Sequence, residues 1–286
     1  MVTTGQRAPS ISAVIPAYNE EGAVAAVVSG CAEALVRAGS PDAEVVVVDD
    51  GSTDATAEVA AAAPSHGVPV RVVRHPDNRG YGAALRSGFD AARNSAVWLV
   101  DGDGQFDPAE LSLLLPLYRP NRLVAGRRGV RRDTAVRRLN QVAFFAVVRL
   151  LLGGTVRDVN CGFKLIPRHA LRGLRSDGAM ISTELLIAAR RSGCALAEVE
   201  VSHRPRRTGQ PTGARPAVVA RAFVELWRLR RRARSGTPPI VLGEPSGLDL
   251  PGNGLATDVD GHDSGAGSGR LVGRARDRVP ARRDQE

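Results

Sequence analysis

The amino-acid sequence predicts an α/β fold with a mostly parallel central sheet flanked by helices. Three observations predict it. Short apolar runs recur through the first 126 residues, Ala-rich helical stretches lie between them, and each run ends at its carboxyl side in polar or Gly-rich residues. Strand and helix signals alternating in this way describe a parallel sheet covered on both faces.

In order, the predicted strands are Ile11–Ile15, Val45–Val48, Val68–Val73, Val97–Val100 and Leu123–Ala125, with helices over about 20–38, 54–63, 81–92 and 108–117. The segments that follow the strands are PAYNE, DDGSTD, HPDNRGYG, DGDGQ and GRRG. Open α/β sheets bind ligands beyond the carboxyl ends of their strands, so these five segments are expected to meet in one cleft.

Past residue 135 the pattern changes. A long apolar and basic helix is expected over about 135–152, followed by a loop carrying VNCGFKL and a helix near 182–192. A strand at Ala195–Val201 and a basic helix over about 216–234 come next. From Ser235 onward Gly, Pro, Ser and Asp prevail without periodicity, and 235–286 reads as a disordered tail. The expected organisation is a flexible stretch 1–9, a folded domain 10–234 and that tail. The domain divides into halves 10–126 and 127–215, with the basic helix 216–234 after them.

At 286 residues and 43% hydrophobic, the chain can bury a substantial core. Cys31, Cys161 and Cys194 are odd in number and far apart. They suggest neither a disulfide framework nor a zinc site, and point to a reducing compartment. No apolar signal core opens the sequence, and the stretch Val142–Leu152 is interrupted by Arg149 and too short to cross a bilayer. The expectation is a cytoplasmic protein, able to lie on the inner face of the membrane without spanning it.

The net charge is +9, and Lys164 is the one lysine among the 39 basic residues. Residues 235–286 hold six Arg against eight acidic side chains, so the positive excess belongs to the first 234 residues. It gathers in two clusters, Arg127 to Arg138 and Arg204 to Arg234. Nucleic acid, anionic lipid and phosphorylated substrates all suit such charge. No helix-turn-helix, finger or aromatic RNA-binding signature accompanies the arginines, which speaks against nucleic acid. A dinucleotide-binding oxidoreductase is also disfavoured, because GYGAAL lacks the third glycine and does not follow the first strand.

Asp101 and Asp103 carry the clearest chemistry. They follow the apolar WLV run, separated by Gly102, so both carboxylates can project from the same strand end. Carboxylates without His or Cys partners suit a hard divalent ion, Mg²⁺ or Mn²⁺. Such an ion would bridge diphosphate oxygens, and Gln105 is spaced to add another oxygen. Asp and Gly are also common turn formers, and DGDG alone could be an acidic turn.

The motif does not stand alone. ISAVIPAYNEE, VVVVDDGSTDAT, NRGYGAAL and VWLVDGDGQFDP, in that order, resemble the family 2 glycosyltransferases of GT-A fold. Within them the likeness is to the polyprenyl-phosphate sugar transferases, the dolichol-phosphate mannosyltransferase-like branch, and covers about residues 10–213. The resemblance implies that Pro16, Tyr18 and Glu20 line a nucleotide pocket, and that Asp50, rather than Asp49, contacts the base or ribose. It makes 10–126 the nucleotide-sugar half and 127–215 the acceptor half. Asp101, Gly102, Asp103 and Gln105 match the metal and diphosphate motif. AGRR places the family's arginine on Arg128, and Arg137 matches an arginine associated with the acceptor phosphate. RDVNCGFKL brings Asp158, Gly162, Phe163 and Lys164 towards the site, and the segment EVEVSHRPRRTGQPTG points to Arg206 and Gly209. Two departures stand out: Tyr81 occupies a position where lysine is frequent, and QPT follows Gly209 where ESK is commoner.

The activity so implied is inverting transfer of a sugar from a nucleotide-diphosphate sugar to a polyprenyl phosphate. A phosphate acceptor is already ionised near neutral pH and needs no strong base. The protein must instead position two phosphorylated substrates and offset their repulsion, a task for arginine. A hydroxyl acceptor, on a glycan or small metabolite, would need a general base, with Glu184 or Asp158 the first choices. Glu184 reads foremost as a helix N-terminal charge after Ser182 and Thr183. Helix 216–234, with Phe223, Leu226 and Trp227 among arginines, fits either a membrane surface or a face docked on the domain. Cys161, His75 and His203 read as structural.

Overall fold

The computed structural model of the chain describes residues 8–129, 157–178 and 180–205. In order these form β1 (Ile11–Ala17), α1 (Val24–Arg37), β2 (Glu44–Asp49), α2 (Thr56–Ala61), β3 (Val70–Arg74), α3 (Tyr81–Ala91) and β4 (Ala96–Val100). A 3₁₀ turn (Pro108–Glu110), α4 (Leu111–Leu114), β5 (Arg122–Arg128), β6 (Phe163–Pro167), a second 3₁₀ turn (Arg168–Leu171), α5 (Ile181–Arg191) and β7 (Ala195–Val201) follow. The strands make one sheet in the order β3-β2-β1-β4-β6-β5-β7. β6 is antiparallel to both of its neighbours, whereas the other pairings are parallel.

The two-residue period of the strands sorts their side chains into two apolar layers. Ile11, Ala13, Ile15, Trp98 and Val100 pack with Val24, Val27, Val28 and Leu35 of α1 and with Leu111 and Leu114 of α4. Val14, Val46, Val48, Val97 and Leu99 pack on the other face with Leu85 and Phe89 of α3 and Ile181 and Leu185 of α5. The apolar residues of α1 recur at three- and four-residue spacing, which turns one stripe of the helix to the sheet. Gly39, at φ 61°, ends that helix: its N–H donates to Val36 O at 3.0 Å, and Ser40 N–H reaches Leu35 O at 3.2 Å.

Two sequence expectations change. Residues 163–167 are not loop but the buried strand β6, inserted between β4 and β5. A charged Lys164 interrupts the apolar run and masks the strand. Its burial becomes possible only where tertiary structure supplies acceptors. The predicted helix over 108–117 is a 3₁₀ turn and a single α-turn, because Pro116 closes it.

The chain leaves β1 towards β2 and β3 on one side, while β4 lies on the other. The carboxyl ends of β1 and β4 therefore form the switch point at which α/β sheets open a ligand crevice.

Candidate active site

The loops at this edge are tied to one another by side-chain and backbone hydrogen bonds. After β1, Asn19 adopts φ 54° and donates its N–H to Ser52 Oγ at 2.9 Å; its own Oδ1 accepts from Thr53 N–H at 2.8 Å. Glu20, 6% exposed, donates its N–H to Thr56 Oγ1 at 2.8 Å. Gly51 has φ 71°, and a Cβ there would run into the backbone of Asp77 and Asn78, so the loops after β2 and β3 touch through bare backbone. Asp50 accepts from Arg79 N–H at 3.0 Å and Gly80 N–H at 2.8 Å, and its Oδ1 lies 2.6 Å from His75 Nδ1. His75 Nε2 lies 2.8 Å from Ser87 Oγ. Asp50 therefore braces the loop that starts α3. Pro16 lies on β1, with its carbonyl accepting Gly102 N–H at 3.2 Å, and Tyr18 is 38% exposed at the mouth.

Asp101 follows β4 directly. Its N–H donates to Gly162 O at 3.1 Å, and its Oδ1 accepts from the Tyr81 hydroxyl at 2.9 Å. The carboxylate occupies the space a Cβ on residue 162 would take, so Gly162 is required for the Asp101 side chain to sit where it does. Burial, and then the Asp103 charge, push the Asp101 carboxyl up to about 6, against the Tyr81 hydrogen bond and the Lys164 and Arg128 charges. Burial chiefly, with the Asp101 charge, holds the Tyr81 hydroxyl well above the usual tyrosine value, so it stays a donor. Asp103 Oδ1 accepts from Gln105 N–H at 3.1 Å across Gly104, which has φ 71°. Gln105 Nε2 donates to Arg204 O at 2.9 Å, which leaves the amide oxygen as the group it can offer an ion.

Across the site Arg128 and Asp158 form a two-pronged pair. Arg128 Nε to Asp158 Oδ2 and Nη2 to Oδ1 are both 2.7 Å, and the Arg128 N–H adds a bond of 3.2 Å. Burial opposes both charges, yet these bonds keep the Asp158 carboxyl below and the Arg128 guanidinium above their ordinary values. Glu198 of β7 fixes Asp158 from behind, its Oε1 accepting the N–H groups of Arg157 at 2.7 Å and Asp158 at 3.1 Å. Arg127, one residue away on β5, turns outward to Glu200. Beneath them the fully buried Lys164 donates to the Cys161 carbonyl, and burial holds its amine below the usual lysine range.

The structure thus brings Pro16, Tyr18, Glu20, Asp50, Asp101, Gly102, Asp103, Gln105, Arg128 and Asp158 to one edge of the sheet. Arg137 and Arg206 lie outside the described residues, as do the helices expected over 135–152 and 216–234 and the tail 235–286. Sequence reasoning missed two positioning groups, the hydroxyl of Tyr81 and Glu198, and did not foresee the partner of His75; each acts across elements, and no local motif marks them. It read Cys161, His75 and His203 as structural, and His203 packs edge-on against Phe106 at 5.2 Å. A cavity of about 690 Å³ lies at the opposite edge, between Arg86, Ser95, Arg168 and Arg172, and holds none of these groups. Among the described residues no three His, Cys, Asp or Glu side chains cluster as a closed metal site. Two carboxylates at the carboxyl ends of parallel strands instead suit an ion completed by the oxygens of a substrate.

The model of the family "Glycosyl transferase family 2" matches residues 12–175, spanning every loop just described up to the 162–175 segment. The chain belongs to that family. Family 2 relatives include the dolichyl-phosphate beta-glucosyltransferase of Drosophila melanogaster, 33% identical over 214 residues, which are 67% of this chain and 66% of that protein. The chain spans just under two thirds of the Drosophila protein's length. The dolichol-phosphate mannosyltransferase of Mycosarcoma maydis is 29% identical over 249 residues, 82% of this chain and 83% of the relative. Among solved structures, glucosyl-3-phosphoglycerate synthase from Mycobacterium tuberculosis, in complex with Mn²⁺, UDP-glucose and phosphoglyceric acid, matches with a TM-score of 0.60 and 27% identity. The match covers 77% of this chain and 79% of that one. The fold is the GT-A type of the family 2 glycosyltransferases. Among the described residues, no helix is long and apolar enough to cross a membrane.

Proposed function

We propose that the chain is an inverting glycosyltransferase that moves a sugar from a nucleotide-diphosphate sugar to a polyprenyl phosphate at a membrane surface. The observation that carries this reading is the pair Asp101 and Asp103 at the β1/β4 switch point, faced by Arg128 and hemmed by the loops after β1, β2 and β3. Relatives named for dolichyl and undecaprenyl phosphate support the acceptor class. Pro16, Tyr18, Glu20 and Asp50 line the place for the nucleotide. Asp101 and Asp103, with the Gln105 amide oxygen, would hold Mg²⁺ or Mn²⁺, whose charge offsets that of the donor diphosphate. Solved relatives bound to Mn²⁺ or Mg²⁺ support that choice.

The two carboxylates first in line as a general base are both engaged. Asp158 is held ionised by Arg128, and Glu184 Oε2 accepts the N–H groups of Arg175 at 3.0 Å and Ser176 at 2.8 Å. An acceptor phosphate needs neither. Its oxygen forms the new bond to the anomeric carbon while the bond to the nucleoside diphosphate breaks, the electron pair leaving with the diphosphate. Arg128, oriented by Asp158, and Arg137 and Arg206 would steady the acceptor. The basic segment 216–234 would lie on the membrane, and residues 235–286 would take no part.

A second reading has support in the likeness to glucosyl-3-phosphoglycerate synthase, in which the acceptor is a small phosphorylated metabolite. One assay separates the two. Radiolabelled nucleotide sugars are offered with polyprenyl phosphate in detergent or with phosphoglyceric acid, and the label is partitioned between organic and aqueous phases. Label in the organic phase is expected; transfer only to phosphoglyceric acid would overturn the lipid acceptor.

A further inference from the structure

Tyr81 stands where the family resemblance leads one to expect lysine, and the structure gives its hydroxyl a definite partner. The residue opens α3, and the start of that helix is held from two sides. Asp50 accepts the N–H groups of Arg79 and Gly80, while Gly82 N–H donates to Asp177 O at 2.9 Å. From this fixed origin the phenol reaches across to Asp101 Oδ1 at 2.9 Å. On the carboxylate's other side Gly162 backs onto it, leaving no room even for a methyl group. Asp101 can therefore neither rotate freely nor retreat. Oδ1 is occupied by a hydrogen bond, and among the described residues Oδ2 accepts none.

We propose that Tyr81 makes Asp101 a one-oxygen ligand, and so sets the site's preference for small octahedral ions, Mg²⁺ or Mn²⁺, over Ca²⁺. This rests on the metal assignment above. Ca²⁺ takes six to eight oxygens and readily uses both oxygens of one carboxylate, whereas Mg²⁺ keeps strict octahedral geometry with single-oxygen ligands and bound water. A hydroxyl that takes one lone pair of Oδ1 and fixes the carboxylate's orientation disfavours the two-oxygen mode. A group of this kind, bonded to a ligand rather than to the ion, ordinarily changes metal affinity by roughly ten- to a hundredfold.

The test reads ion binding directly. Mn²⁺ alone is titrated into the purified full chain and its free concentration followed by electron paramagnetic resonance, with Ca²⁺ then added as competitor. Tyr81→Phe removes one oxygen and keeps the ring, and circular dichroism with a melting curve checks that it folds. The expected result is Mn²⁺ binding weakened about tenfold, with Ca²⁺ displacing it at a lower Ca²⁺ to Mn²⁺ ratio than in the parent. An unchanged ratio, whether or not both affinities fall together, would mean that Tyr81 only packs, and would overturn the proposal. Asp101→Asn separates the two levels. Loss of Mn²⁺ binding there supports the metal site itself, while unaltered binding would overturn the metal assignment and the role of Tyr81 together.

Discussion

Asp101 and Asp158 are both partly buried at the carboxyl edge of the sheet, and their surroundings treat them in opposite ways. Asp158 faces a guanidinium along both oxygens, with backbone N–H support, and its carboxyl is held below its ordinary value. Asp101 meets a neutral phenol and a backing glycine, and burial, then the Asp103 charge, push it up to about 6 against the Tyr81 hydrogen bond and the Lys164 and Arg128 charges. A carboxylate whose charge the protein already balances serves structure and orientation. One that burial and a neighbouring carboxylate make costly to ionise gains from a cation brought from outside. On the proposed function, the difference divides the site into a side suited to an ion and a self-compensated arginine side.

The largest effect that could break this division is on turnover. Asp103→Asn halves the charge offered to a divalent ion and keeps the side-chain shape. A fall of at least about a hundredfold in nucleotide-sugar turnover is expected, since stabilising charge on a leaving diphosphate is worth several kcal/mol. Turnover equal to the parent's in saturating Mg²⁺ or Mn²⁺ would remove the ion from this side of the site.

Asp158→Asn should show its effect first in stability. The pair is 13% exposed on each side chain, so solvent screens it only in part. Leaving Arg128 unpaired is expected to cost roughly 2–3 kcal/mol in urea unfolding, somewhat below a fully buried pair. Arg127→Ala breaks the neighbouring pair with Glu200, whose side chains are 35% and 63% exposed, and should cost under about 0.5 kcal/mol. Equal losses in the two variants would show that the Asp158 pair carries no special weight.

The same contrast accounts for what could be read from the sequence. The parallel strands were legible because their runs are apolar and end in polar loops, and Asp101 and Asp103 because their spacing falls at the fourth of five strand ends, among motifs in a recognisable order. The choice of Arg128 over Arg127 rested on family likeness, and the alternation along β5 gives it a physical basis: one side chain turns to Asp158, the next to Glu200. β6 was hidden by Lys164, whose burial depends on the Cys161 carbonyl and on nearby carboxylates. Tyr81, His75 and Glu198 were hidden for a related reason. Their partners Asp101, Asp50 and Asp158 lie 20, 25 and 40 residues away in sequence, and nothing local announces the pairing.

A third carboxylate, at the other edge of the sheet, sharpens the comparison by a smaller amount. Glu44 opens β2; its Oε1 accepts from Ser12 Oγ at 2.7 Å and Arg93 N–H at 2.8 Å, and its Oε2 from Arg71 Nη2 at 3.0 Å. Burial pushes its carboxyl upward, but these bonds and the Arg71 charge outweigh it, and the net shift is downward, as for Asp158. A carboxyl lowered by folding adds stability that is fully present above its unfolded value, about 4.3 for glutamate, and is lost as pH falls through the lower folded value. Glu44→Gln keeps the shape and removes the charge, so it should destabilise the protein by about 1–2 kcal/mol at pH 7. Measured by urea unfolding from pH 7 downward, the gap to the parent should hold to about pH 5 and narrow below the glutamate value. A gap that stays constant down to pH 3 would trace the loss to packing, and would leave Asp158 as the one charge-balanced carboxylate in the comparison.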